Sequence, residues 1–203
     1  LSIPGVTKYM NTSTGLTSGD TPVITGRQKT LDPKLMNFSL SNGKLTIKFA
    51  SNIEQLDEIQ ALRYQIFGVE MGSSIPSAHL GRDIDEFDDY CDHLMVLDNE
   101  TDKIVGTYRL MNPTSAKKAG RYYCAGEFDM DNLAGIMDRS VELGRSCVHQ
   151  NYRTGNTINL LWQGLTEYVD LFDCDYLFGC ASVYINNEPE RIHKLTQTLL
   201  KKH

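Results

Sequence analysis

Glu142, Gly144 and Arg145 interrupt the otherwise apolar run SVELGRSCVH at residues 140–149. Charges buried in a strand need partners or water, because desolvating them alone is costly. In a regular strand Glu142 and Arg145 point to opposite faces. A bulge at Gly144 would turn both towards one cleft and leave a backbone N–H free to bind an oxygen. A salt bridge at a sheet edge explains the pair equally well. Just downstream, Arg153, Thr154, Gly155, Asn156 and Thr157 precede a helical pattern. Their N–H groups, the helix dipole and the Arg153 guanidinium suit an anion. The plainer alternative is a strand-to-helix loop with one exposed arginine.

Arg63 and Glu70 are seven residues apart and project from nearly the same side of a helix, so they can converge on a cleft. A solvated helix face is the commoner reason for such a pair. Arg109 interrupts an apolar strand as Arg145 does; it can bind a carboxylate through a bidentate pair or serve the acidic run DIDEFDDYCD at residues 83–92. That run suggests calcium, but the glycine at the sixth position and glutamate at the twelfth of an EF-hand loop are missing. A solvated loop or recognition of a cation fits better, and no metal site is expected. Cys147 and His149 share a strand face, yet a cysteine in an apolar strand is usually a small buried hydrophobe.

The elements that must position these residues follow from periodicity. Residues 44–50 (KLTIKFA) alternate after the turn signal Asn42-Gly43 and predict a strand. Ser51 with Glu54 reads as a capping box for a helix running to about Met71. Residues 72–81 read as a loop. Residues 93–98 and 104–111 predict an antiparallel hairpin, residues 127–137 a short helix, and residues 140–149 a strand. A long helix over residues 156–172 and a strand over 175–183 complete a mixed sheet covered by helices.

The chain has 203 residues, enough for one domain with a sizeable core. Its net charge of -6 disfavours non-specific nucleic-acid binding. No apolar stretch is long enough to span a bilayer, which predicts a soluble chain, at most peripheral at a membrane. Five cysteines without a CxxC pair argue against a disulfide framework or zinc site and for a reducing, cytoplasmic setting. Residues 1–34, rich in Thr, Ser, Gly and Pro, read as a flexible arm. Met10 is a candidate native start, with residues 1–9 foreign to the protein.

Six segments follow one another between residues 62 and 182: LRYQIFGVEM, GRDIDEFDDYCDHLMVLD, IVGTYRLM, VELGRSCVHQNYRTG, LLWQG and LFGCAS. On these the chain resembles the ornithine and related amino-acid N-acyltransferases of bacterial lipid synthesis, within the GNAT superfamily. A weaker likeness, in the acidic run and residues 142–145, is to the acyl-homoserine-lactone synthases. The resemblance implies an α/β fold, a GNAT-like mixed and mostly antiparallel sheet flanked by helices, with the acyltransferase domain over residues 35–203. It implies an enzyme that moves a long fatty acyl chain, with or without a 3-hydroxyl, from acyl carrier protein to the α-amine of an amino acid. Ornithine is the first expectation, tyrosine or glycine the second, and a non-catalytic acyl-carrier-binding module the alternative outside enzymes.

No cofactor is expected to be tightly bound; the acyl-phosphopantetheine of acyl carrier protein is a co-substrate. The partners implied are acyl carrier protein and an amino-acid acceptor, at the inner face of the membrane or free in the cytoplasm. On this resemblance Glu142 or Glu70 takes the amine proton, and donors near Gly144 hold the oxyanion. Arg63, Asp85, Asp88, Arg109 and Arg145 bind the amino acid, and Arg153, Thr154, Gly155, Asn156 and Thr157 hold the donor phosphate. The loop at residues 153–157 lacks the further small residues of the usual GNAT pyrophosphate loop, which favours acyl carrier protein over coenzyme A. Transfer is direct, without an acylated Cys147, and His149 is a secondary proton acceptor. The family usually continues with further strands beyond Ser182, whereas residues 184–203 carry no matching motif, so acyl-pocket residues there stay unassigned.

Overall fold

A computed structural model of the chain describes residues 31–182 and 189–202. Expectations for residues 1–30 and for the strand's end at Val183 fall outside these. Six strands form one sheet in sequence order: β1 (Ser39–Ser41), β2 (Leu45–Phe49), β3 (Asp92–Asp98), β4 (Ile104–Met111), β5 (Ser140–Val148) and β6 (Tyr176–Phe178). All neighbours are antiparallel except β5 and β6, which run parallel and need a crossover. The crossover is α3 (Gly155–Leu171). The remaining helices are α1 (Ile53–Arg63), α2 (Pro113–Ala119) and α4 (Pro189–Lys202).

The helices α1 and α3 cover opposite faces of the sheet. Leu160, Leu161, Leu165 and Tyr168 of α3 pack on Ile47, Leu94 and Val96, whereas Ile59 of α1 belongs with Met95 and Leu97. This explains why the middle of β3, LMVL at residues 94–97, is apolar without alternation: both of its faces are covered. The Tyr168 hydroxyl donates to Asp92 Oδ2 at 2.7 Å and accepts from Asn112 Nδ2 at 2.9 Å, tying α3 to β3 and to the N-cap of α2.

Gly164 allows α3 to lie this close. A Cβ there would sit 2.8 Å from Leu94 Cδ2 and 2.9 Å from Ile47 Cδ1, two fully buried side chains. Gly164→Val should therefore destabilise the fold by about 1–3 kcal/mol through overpacking. Chemical denaturation would show a lower midpoint at an unchanged slope; an unaltered midpoint would contradict the tight approach of α3.

Several sequence expectations need correction. The first helix is capped by Asn52, which accepts from Gln55 N, while Gln55 Oε1 accepts from Ser51 N at 2.8 Å; the reciprocal cap involves Asn52 and Gln55, not Ser51 and Glu54. Its continuation, Tyr64–Glu70, is a π-helix, with Met71 N bonded to Ile66 O. Residues 127–137 form no α-helix but separate 3₁₀ turns at Asp131–Leu133 and Met137–Arg139. The last strand spans only Tyr176–Phe178. Leu31 and Leu35 are buried in the main core, so the described end of the expected loose arm is packed.

Candidate active site

The strand β5 changes register halfway. Gly106 and Thr107 of β4 face Val148 and Cys147, but Arg109 faces Gly144, so Arg145 and Ser146 together oppose Tyr108. This is a β-bulge, which bends its strand and leaves one residue outside the ladder. Its left-handed residue is Arg145, with φ of 50°, not the expected Gly144. A non-glycine residue in that region is uncommon and stores strain that surrounding contacts must hold. Pairing with β6 ends at Glu142, six residues before β5 itself ends at Val148. The two parallel strands thus part at the bulge.

A cavity of about 880 Å³ opens there, and both Glu142 and Arg145 line it. Arg109, Gly144, Glu70 and Arg153 line it too. Glu142 is 5% exposed and accepts the N–H groups of Tyr123 and Cys124 at 2.7 and 2.6 Å. Both of its oxygens are therefore engaged in holding the turn at residues 123–126. Glu70 stands at another part of the wall in a bidentate pair with Arg153, at 2.6 and 2.7 Å. The hydrogen bonds from Arg153 keep the Glu70 carboxyl below its ordinary range, and Glu70 in turn raises Arg153. Both side chains remain partly open to solvent.

Arg153 leads into Thr154, the N-cap of α3, so the first N–H groups of that helix lie beside it. Thr157 is fully buried and its hydroxyl donates to Tyr152 O at 2.6 Å, so it holds the turn before α3 rather than meeting a ligand. Gly155 and Asn156 are exposed at the helix start.

Arg63, Asp88 and Arg109 are placed differently from the substrate-binding expectation. Arg63 is fully buried, with Nε 2.9 Å from Asp83 Oδ2 and Nη1 2.9 Å from Asp88 Oδ1. Arg109 Nη1 reaches Asp85 at 2.6 Å and Asp88 at 2.9 Å. Asp88 has no exposed surface and also accepts from Gln60 Nε2. Burial alone would raise the Asp88 carboxyl, yet Arg63 first, then His93 and Arg109, hold it well below the usual carboxylate range. The acidic run therefore neutralises buried arginines, and neither Asp88 nor Arg63 is open to a ligand. Nor do Arg63 and Glu70 share a cleft, because the wider turns of the π-helix between them change the phase.

Arg145 is the most exposed arginine of this network, at 30%, reaching Asp85 Oδ2 at 3.2 Å and lying over the Tyr123 ring. Asp85 retains some exposure, between Arg109 and Arg145. Cys147 is buried and its thiol is pushed up to about 12 by desolvation, so it is protonated at neutral pH. His149 accepts from Asn151 N and packs edge-on against Tyr152. The tyrosine turn that holds Glu142 had no sequence signal, because its contacts span eighteen or more residues.

Residues 62–163 match the family model for the acetyltransferase (GNAT) domain. The chain belongs to the GNAT family. It is similar to the L-ornithine N(alpha)-acyltransferase of Agrobacterium fabrum, 41% identical over 152 residues, covering 69% of this chain and 51% of the relative. The protein of the same name from Rhizobium meliloti is 42% identical over 147 residues, covering 68% and 50%. The chain spans about half the length of the curated relatives it matches. Among solved structures, the acyl-homoserine-lactone synthase LasI has a TM-score of 0.51 at 16% identity, covering 68% of this chain and 72% of that one. That likeness bears on the GNAT fold alone. No described helix is long and apolar enough to cross a membrane.

Proposed function

We propose that this GNAT domain transfers a long acyl chain from the phosphopantetheine thioester of acyl carrier protein to the α-amine of an amino acid, ornithine first. One observation carries the reaction: a single cavity joins the parted β5 and β6 strands, Arg153 at the start of α3, and a carboxylate, Glu70, paired with that arginine. The acceptor is drawn from the relatives near 40% identity, which are named for ornithine.

In this reading the pantetheine arm lies in the gap between the strands, with its phosphate at Arg153 and the N–H groups of the exposed Gly155 and Asn156, the Thr154 N–H being taken by Tyr152 O. The phosphate competes with Glu70 for the Arg153 guanidinium, so donor binding releases the carboxylate. Glu70, directly or through water, then takes the proton of the attacking amine. Backbone N–H groups at the bulge, residues 144–146, stabilise the tetrahedral oxyanion. The carbon–sulfur bond breaks, the amide forms, and the pantetheine thiolate leaves and is protonated. Arg145 anchors the acceptor carboxylate and Asp85 lies beside it. Glu142 positions the wall rather than moving a proton.

At matched acyl chains, the acyl-carrier thioester should be used with higher kcat/KM than the coenzyme A thioester. Arg153→Ala should raise KM for the donor more than for the amino acid. Equal efficiency with both donors would count against the donor assignment.

A further inference from the structure

Two thiols, of which Cys180 lines this cavity, are unused by the proposed reaction. Cys124 Sγ lies 3.0 Å from Cys180 Sγ, although the residues are 56 positions apart. Cys180 is exposed and Cys124 is buried; Cys91, Cys147 and Cys174 are buried as well. The backbone fixes both members of the pair. Cys124 opens the 3₁₀ turn Cys124–Gly126, and its N–H is held by Glu142. Cys180 follows Gly179, which abuts β5 so closely that a Cβ there would collide with the Leu143 carbonyl oxygen. The rings of Tyr122 and Phe178, 5.0 Å apart, join the same two segments.

We propose that Cys124 and Cys180 form a thiol-oxidation site whose disulfide reversibly closes the cavity where β5 and β6 part. A disulfide needs the sulfurs at about 2.0 Å, so closure requires a shift of only about 1 Å. The oxidant is a peroxide. Its oxygen is transferred to the exposed Cys180 thiol, giving a sulfenic acid and releasing the alcohol or water. Cys124 then attacks the oxidised sulfur, the S–S bond forms, and the Cys124 proton leaves with the sulfenic hydroxyl as water. Burial first, then Cys180 and Glu142, hold the Cys124 thiol well above its ordinary range, so Cys180 is the one that meets the oxidant. A reducing thiol reverses the bond by exchange. The cross-link ties the turn that braces Glu142 to the chain leaving β6, across the opening assigned to pantetheine; the effect on turnover rests on that assignment.

The test treats the 203-residue chain with hydrogen peroxide and follows intact mass, peptide maps and acyl transfer. A species about 2 Da lighter, with a Cys124–Cys180 linked peptide, is expected, and dithiothreitol should reverse it. Acyl transfer should fall at least about tenfold on oxidation and return on reduction, as for a blocked opening step. Cys180→Ala, an exposed change compatible with folding, should form no cross-link and keep its activity in peroxide. Stepwise addition of oxygen at Cys180 without a cross-link would overturn the site, and full activity of the cross-linked chain would overturn closure. If the reduced chain transfers no acyl group at all, the donor reading fails, while the mass measurement still decides the disulfide.

Discussion

Asp88→Asn is expected to cost about 3–5 kcal/mol of folding stability, the range for removing one partner of a buried ion pair. Asp88 is completely buried, and its carboxylate faces Arg63 Nη1 and Arg109 Nη1, each at 2.9 Å. An asparagine keeps the shape but leaves these guanidinium groups short of one negative charge in a site without water's screening. Arg63 cannot shed its proton to compensate, because a guanidinium stays charged in a protein even when buried. The pH dependence has a definite sign. Because the folded-state carboxyl is depressed, its contribution is complete above the unfolded value of about 3.9 and is lost as pH falls through the lower folded value. The wild-type chain should therefore lose stability steeply below about pH 4, and Asp88→Asn should show a flatter acid limb. Denaturant midpoints across that range measure both effects; parallel curves for the two proteins would refute the assignment.

Glu70→Gln should lower kcat by roughly 10²-fold or more, as when a general base is removed, with little change in melting temperature. Glu70 sits on the cavity wall, and its partner Arg153 is a group the donor phosphate would claim. Glu142→Gln should behave differently. Its carboxylate accepts two backbone N–H groups, and an amide can accept with only one oxygen, so loss of one charge-assisted bond should cost about 1.5–3 kcal/mol. Cys147→Ser should retain most activity, because a buried, protonated thiol is no nucleophile at neutral pH. A catalytic collapse in Glu142→Gln with Glu70→Gln active would exchange the roles of the two glutamates.

Local patterning made the sheet legible. Alternation in KLTIKFA and the β-rich segments around the Asn99 turn led directly to β2, β3 and β4, and the apolar stripe of α3 began within one residue of its observed start. The strand β1 was missed, although Asn42-Gly43 is a hairpin turn that calls for a partner before it; Gly43 has φ of 91° and Asn42 Oδ1 accepts from Leu45 N. The short α2 carried every terminal signal, with Asn112 as cap, Pro113 in the first turn and Gly120 at its end, but it buries only Ala116 and so has no apolar stripe to find. The segment at 127–137 mimicked a helix through Phe128, Leu133 and Ile136, yet Gly135 and its aspartates favour turns.

The site was legible as residue types rather than as pairings. A break in β5 follows from charges inside an apolar strand, but the left-handed turn at Arg145 depends on contacts with Asp83, Asp85 and Tyr123, all distant in sequence. The π-helix that separates Arg63 from Glu70 has no composition of its own. Which arginine each aspartate meets is decided by packing of α1, the acidic loop, β4 and β5.

The central claim is that this cavity joins an acyl-carrier thioester to an amino acid. The most direct measurement incubates the chain with 3-hydroxyacyl-acyl carrier protein, follows release of the carrier thiol, and weighs the product by mass spectrometry. Thiol release that depends on added ornithine, together with an N-acylated ornithine, is the predicted result. Carrier binding without thiol release in the presence of any amino acid, or thiol release that ignores the amino acid, would contradict it.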